Sequence, residues 1–180
     1  MSTSTLFRVA GYSAIVTLVL WIGGFAIGAV SPALVGPALA LAAIIFLVVI
    51  YALYLVHRTE SSGLALGATL LTALGMIVSL FAGDPSVPTN AFFYGTCTVV
   101  FGVGIVLLAW LAFNSPKMPR GLAIAVLIMG IMSLVAGVFY LGGAGMLDIA
   151  NLLNFGSIIP SIVWMLWLGR LFLSGKMATA

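Results

Sequence analysis

The sequence predicts an all-α integral membrane protein, in which residues 1–180 form a single transmembrane domain of six helices. Composition is the first observation behind this prediction, because 64% of the residues are hydrophobic and only 5% are charged. A soluble domain needs about 25% charged residues to cover its surface. The second observation is a mean hydropathy of +1.36, which makes the bilayer the expected solvent of the chain.

The third observation is the regular division of the chain into apolar segments by proline, glycine, serine and the few charged residues. A helix of about 20 residues crosses the hydrocarbon core of a bilayer. The connections between the segments read SPALVGP, HRTESS, GDPSVPTN, NSPKMPR and GGAGMLD. The predicted spans are residues 6–29, 37–55, 63–82, 91–113, 121–141 and 149–173.

The first apolar segment begins like a secretory signal peptide, with Arg8 ahead of a hydrophobic run. The run continues to about Val30, whereas the apolar part of a signal peptide has about 7 to 15 residues. We therefore expect an uncleaved first transmembrane helix.

The distribution of charge predicts the orientation of the spans. The basic residues lie at the start of the first span, in the second and fourth connections, or at the end of the sixth span: Arg8, Arg58, Lys117, Arg120, Arg170 and Lys176. The only charged residues in the connections on the other side are Asp84 and Asp148. Because cytoplasmic loops are enriched in Lys and Arg, we expect a multi-pass protein of the cell membrane with both termini in the cytoplasm.

Two of the spans resemble each other. SSGLALGATLLTALGMIVSLFAG at the third span is similar to PRGLAIAVLIMGIMSLVAGVFYL at the fifth, with Gly63 and Gly121 aligned. Three helical hairpins in parallel repeat explain this similarity, and so does the low complexity of apolar sequence.

Small residues four positions apart recur in the spans, and such pairs let two helices approach closely. The pairs are Gly24 with Gly28, Gly63 with Gly67, Thr98 with Gly102, and Ser133 with Gly137. The pattern leaves open whether the facing helix belongs to the same chain, to a second copy or to another membrane subunit.

The candidate binding site is a polar cluster at the outer end of the sixth span. Asp148, Asn151 and Asn154 recur every third residue, and Ser157 and Ser161 continue the line inward. Carboxylate and amide groups are costly against lipid, so we expect this face to look into the bundle or into a water-filled opening. Alternatively, Asp148 caps the helix and the asparagines bond to neighbouring helices.

Pro160 lies inside the sixth span and predicts a kink, because proline has no amide hydrogen for the carbonyl of Gly156. Carbonyls freed by a broken helix can hold a cation or a polar ligand, although a simple bend explains the proline equally well. Tyr94 and Tyr140 are predicted on the same outer side, where their side chains can close over the polar cluster.

Enzymatic, metal-binding and nucleic-acid-binding functions receive no support. The sequence contains no HExxH, GxSxG, CxxC or glycine-rich phosphate loop, and its cations form no basic patch. We predict no catalytic residue, no metal site and no required cofactor. We expect His57 to be a solvated interfacial histidine, and Cys97 to be a small buried hydrophobe.

Both ends of the chain resemble small bacterial six-span membrane proteins of the uncharacterised DUF4386-like type. The similar segments are RVAGYSAIVTLVLWIGG at the first span and PSIVWMLWLGRLFLSGK at the last, about 35 residues in all. The resemblance implies a six-helix membrane fold and no established activity.

Two functions remain open. The first is a non-enzymatic accessory subunit or interaction protein of a membrane assembly, with lipid and other membrane subunits or a second copy as partners. The alternative is a small-molecule binding or permeation protein with a pocket at the outer end of the sixth helix. Full packing of Asn151 and Asn154 against their neighbours favours the first function, whereas a hydrated cavity around them favours the alternative.

Overall fold

The computed structural model describes residues 3–28, 30–85, 87–175 and 177, and this part of the chain is helical without a strand. It contains seven α-helices: α1 (Thr3–Gly28), α2 (Val35–His57), α3 (Ser62–Ser79), α4 (Pro88–Asn114), α5 (Arg120–Leu141), α6 (Leu147–Gly156) and α7 (Ile158–Leu173). Single turns of 3-10 helix precede α2 at Pro32–Leu34 and α6 at Ala144–Met146.

Six segments of the described chain are long and apolar enough to cross a membrane, which confirms the prediction of six apolar helices. Helices α1 to α5 provide five of these segments, and α6 and α7 together provide the sixth. Of the residues used to predict the first span and the orientation, Ala29 and Lys176 lie outside the described residues.

Proline and glycine determine where several helices begin and end. Pro88 is the first residue of α4, where its missing amide hydrogen costs nothing. Pro119 immediately precedes α5 in an extended conformation. Gly83 and Gly143 have φ angles of +76° and +85° after α3 and α5, a backbone conformation that side chains with a Cβ rarely adopt.

The helices pack against each other in chain order. Each of α1 to α5 contacts the next helix along the chain, α5 also contacts α7, and α7 returns to pack against α1. The bundle therefore closes into a ring. Its core lies between these helices and includes Phe46, whose ring meets that of Trp164 edge to face at 5.9 Å between centroids.

Glycine allows the closest helix contacts. A Cβ atom added at Gly102 of α4 would lie 2.7 Å from the backbone nitrogen of Leu134 in α5. One added at Gly137 of α5 would lie 2.7 Å from the backbone nitrogen of Val99 in α4. The α4–α5 pair therefore packs backbone against backbone, which small residues permit in membrane helices.

Side-chain contacts identify the two ends of the bundle. At one end Phe7, near the start of α1, packs against Phe172 near the end of α7, with 5.4 Å between ring centroids. The α2–α3 and α4–α5 connections meet through a hydrogen bond between Glu60 and Ser115. At the other end the beginnings of α4 and α6 meet the end of α5.

Candidate functional site

The predicted polar cluster begins at the first turn of α6. Asp148 lies in that turn and is exposed, and its negative charge is favourable beside the amino-terminal end of a helix. Asn151 and Asn154 follow at one-turn intervals and are both half-buried. The three residues therefore share one side of α6 but differ in their surroundings.

Two tyrosines contact the two asparagines. The hydroxyl of Tyr140 in α5 donates a hydrogen bond of 2.6 Å to Oδ1 of Asn151. Nδ2 of Asn154 donates one of 3.3 Å to the hydroxyl of Tyr94 in α4. The two tyrosine rings meet edge to face, with 5.1 Å between centroids. Side chains of α4, α5 and α6 thus form one cluster, here called the tyrosine–asparagine cluster.

Asp148 and Asp84 are acidic residues at this end of the described bundle. Asp148 takes no part in the bonds that join the tyrosines to the asparagines. The backbone carbonyl of Asp84 accepts a hydrogen bond of 3.3 Å from Nδ2 of Asn90, as expected of a residue in a turn. The two tyrosine hydroxyls thus bond to Asn151 and Asn154.

The sixth span is interrupted near Pro160, between Gly156 at the end of α6 and Ile158 at the start of α7. Pro160 is the third residue of α7 and offers no amide hydrogen to the carbonyl of Gly156. Nearby hydroxyl groups bond to the backbone at this break. The hydroxyl of Ser157 donates a hydrogen bond of 2.6 Å to the carbonyl of Asn154. The hydroxyl of Ser161 donates one of 2.6 Å to the carbonyl of Ser157.

The expectation of a solvated His57 is wrong, because this side chain is 1% exposed. Its Nδ1 lies 3.2 Å from Oε2 of Glu60, and Oγ of Ser115 donates a hydrogen bond of 2.7 Å to Oε1 of the same carboxylate. Glu60 therefore links the end of α2 to the α4–α5 connection. The His-x-x-Glu spacing is the local sequence signal for the first contact, whereas the second joins residues 55 positions apart.

The described residues contain no group of three or more His, Cys, Asp or Glu side chains arranged to hold a metal ion. Cys97 is a free thiol and is buried, as predicted for a small hydrophobe. Hydrogen bonds between side chains of different elements occur at both ends of the described bundle, between Glu60 and Ser115 and in the tyrosine–asparagine cluster. Both sets of bonds join neighbouring helices or connections.

Comparison of the chain with protein-family models, with curated proteins and with solved structures found no match.

Proposed function

We propose that the protein is a non-enzymatic integral membrane protein that serves as an accessory subunit or interaction protein of a membrane assembly, and that its partner binds along α3. The observation that carries this proposal is the exposed face of α3, which points away from the other helices of the chain. A Cβ atom added at Gly63 or Gly67 would meet no described atom within 4 Å. These two glycines therefore have no packing role inside the described chain.

Leucine side chains extend the same face of α3. Leu66, Leu70 and Leu74 are 47%, 50% and 54% exposed, and helical spacing places them beside the two glycines. The opposite side of α3 is buried and includes Ala65, Ala68, Thr72, Gly75 and Met76. A shallow glycine surface flanked by leucines suits the close approach of a second transmembrane helix.

Comparison with the other small-residue pairs supports this assignment. The glycines of the pairs in α4 and α5, Gly102 and Gly137, face backbone atoms of the adjoining helix within the chain. Gly24 of α1 faces Ala38 of α2, with 3.3 Å between an added Cβ and the alanine Cβ. The α3 pair is the one whose two glycines both face open space, so we assign it to a partner subunit or a second copy.

The alternative function, small-molecule binding or permeation at the outer end of the sixth helix, has less support. Asn151 and Asn154 are hydrogen-bonded to Tyr140 and Tyr94, which uses polar atoms that a ligand would need. These bonds match the expectation for asparagines that join helices.

We also propose that both termini face the cytoplasm. The connections that meet at Glu60 and Ser115 carry Arg58 and Lys117, and Arg120 follows as the first residue of α5. Lys and Arg are enriched in cytoplasmic loops. Labelling with a membrane-impermeant maleimide tests this in sealed cells, using Thr59→Cys and Gly145→Cys in a Cys97→Ala background. Gly145→Cys should react from outside, whereas Thr59→Cys should react only after the membrane is opened.

Intact-complex mass spectrometry of the native protein in nanodiscs tests the assembly proposal. We expect the wild-type chain to be bound to a second copy or to another membrane protein. The Gly67→Ile variant should lose this partner, because the branched side chain fills the glycine surface of α3 where the partner helix would approach. Gly23→Ile is the matched control, since a Cβ at Gly23 of α1 also meets no described atom within 4 Å. It should retain the partner.

Two results would contradict the proposal. One is a wild-type chain that carries neither a second copy nor another protein under conditions that preserve membrane complexes. The other is a Gly67→Ile variant that retains its partner as completely as Gly23→Ile does.

A further inference from the structure

A cavity lies between α1 and the junction of α6 with α7, on a side of the bundle separate from the α3 face. Its volume is about 200 Å³. Residues of both helical segments and of α1 line it: Leu18, Trp21, Ile22, Phe25, Phe155, Ile158 and Ser161. None of these residues belongs to the tyrosine–asparagine cluster.

The lining is apolar in its chemistry. Its one hydroxyl group, that of Ser161, is buried and donates its proton to the carbonyl of Ser157 at 2.6 Å. A buried water molecule needs two to four polar partners, and apolar cavities without them stay dry. The cavity therefore disfavours water, ions and polar solutes, and it favours hydrocarbon.

Aromatic rings form much of the wall. Phe25 of α1 and Phe155 of α6 meet edge to face across the two helices, with 5.9 Å between centroids. The ring of Trp21 also packs against that of Phe46 in α2, with 5.9 Å between centroids. The aromatic rings that line the cavity thus come from α1 and α6, and α2 contacts one of them through Phe46.

The rim of the cavity faces outward from the bundle. Ile22 is 46% exposed and Phe155 is 56% exposed, although both line the cavity. Both belong to segments long and apolar enough to cross a membrane, so in a bilayer their exposed surfaces meet lipid. The opening therefore leads sideways into hydrocarbon.

The volume limits what can enter. An apolar cavity of about 150 Å³ in another protein takes up benzene. The cavity beside Trp21 therefore has room for a piece of hydrocarbon at least as large. A transmembrane helix is about 10 to 12 Å across with its side chains and is too wide. We propose that the cavity binds part of an acyl chain of a membrane lipid. This inference is independent of the function proposed for α3.

The intrinsic fluorescence of the protein reports on occupancy, because Trp21 lines the cavity. Trp110 of α4 is 62% exposed and provides a lipid-facing tryptophan for comparison. The protein is placed in nanodiscs of unlabelled lipid and titrated with a fatty acid brominated in mid-chain, which quenches tryptophan on contact. We expect a saturable quenching component that Trp21→Phe removes and Trp110→Phe leaves in place.

A pair of matched substitutions tests the location. Ile22 and Ile27 lie on the same helix and are both 46% exposed, but only Ile22 is among the cavity-lining residues. We expect Ile22→Phe to fill the opening and abolish saturable quenching, and Ile27→Phe to preserve it. Thermal unfolding of both variants establishes that each is folded before it is titrated.

Three results would overturn the inference. Quenching that rises without saturation indicates ordinary contact with bulk lipid. A saturable component that survives Trp21→Phe belongs to another tryptophan and another site. If Ile22→Phe and Ile27→Phe are both folded and lose the saturable quenching equally, the quenching does not depend on this cavity.

Discussion

The Tyr140 hydroxyl donates a 2.6 Å hydrogen bond to Asn151, and this bond joins the end of α5 to α6. The bond has a structural consequence because α6 has only 10 residues and rises about 15 Å. Most of the contacts of α6 with other elements are with α5. The second bond, from Asn154 to Tyr94, attaches α6 to α4 in the same way.

We predict that Tyr140→Phe lowers the free energy of unfolding by about 1 kcal/mol, the usual net value of such a bond. The ring of Tyr140 is 1% exposed, so the variant keeps its packing and loses only the hydroxyl. Denaturation in mixed micelles measures the difference. A double-mutant cycle with Asn151→Leu should give a coupling free energy of similar size.

Tyr12→Phe is the matched control, because Tyr12 is 62% exposed and its loss of a hydroxyl should change stability by less than about 0.5 kcal/mol. A coupling near zero between Tyr140 and Asn151 would show that the bond does not stabilise the attachment of α6.

The helices were largely predictable from sequence, because a break in an apolar run is a local property. The predicted fifth span, residues 121–141, differs from α5 by one residue at its start, and Pro119 marks that boundary. The break in the sixth span was likewise indicated by Pro160. Such residues act on their own backbone, so no knowledge of the partner helix is needed.

Contacts between distant segments were less predictable. The sequence suggested that Tyr94, Tyr140 and the asparagines share one end of the bundle, but not which hydroxyl meets which amide. The burial of His57 was missed because it depends on how the α2–α3 connection packs. The cavity beside Trp21 was missed because it forms only where α1 meets the α6–α7 junction.

Opposite effects are predicted for one substitution at two glycines. Gly102→Ala should destabilise the bundle by about 1 to 3 kcal/mol, because the new methyl group meets the Leu134 backbone at 2.7 Å. Gly67→Ala should stabilise the isolated chain by about 0.5 to 1 kcal/mol, since alanine favours a helix and the site is open. Thermal unfolding of the two variants in the same detergent compares them. Destabilisation by both would mean that α3 is packed on its glycine side.

Removal of the Glu60 carboxylate should loosen the end of the bundle that contains His57. Glu60→Ala breaks the contact with His57 and the hydrogen bond from Ser115 together. We expect hydrogen exchange in the α2–α3 and α4–α5 connections to accelerate about fivefold, equivalent to about 1 kcal/mol for a partly exposed group. Mass spectrometry of the exchanged peptides measures this rate.

Two further variants make the Glu60 prediction specific. Glu60→Gln should preserve part of the protection, because an amide can accept from Ser115 and donate to His57. Thr59→Ala should leave exchange unchanged, since Thr59 is exposed on the same connection. Acceleration confined to the α2–α3 connection in Glu60→Ala would argue against a link to the α4–α5 connection.

The break between α6 and α7 should close when Pro160 is replaced. Pro160→Ala restores an amide hydrogen that can be donated to the Gly156 carbonyl, so the two segments can join into one continuous helix. Spin labels at Leu152 and Leu166, which are 73% and 49% exposed, report the distance between the segments without disturbing the core. With cysteines at these positions and Cys97→Ala, pulsed electron resonance should give a different and narrower distance distribution for Pro160→Ala. An unchanged distribution would show that packing against α1 and α5, which both contact α7, holds the break without the proline.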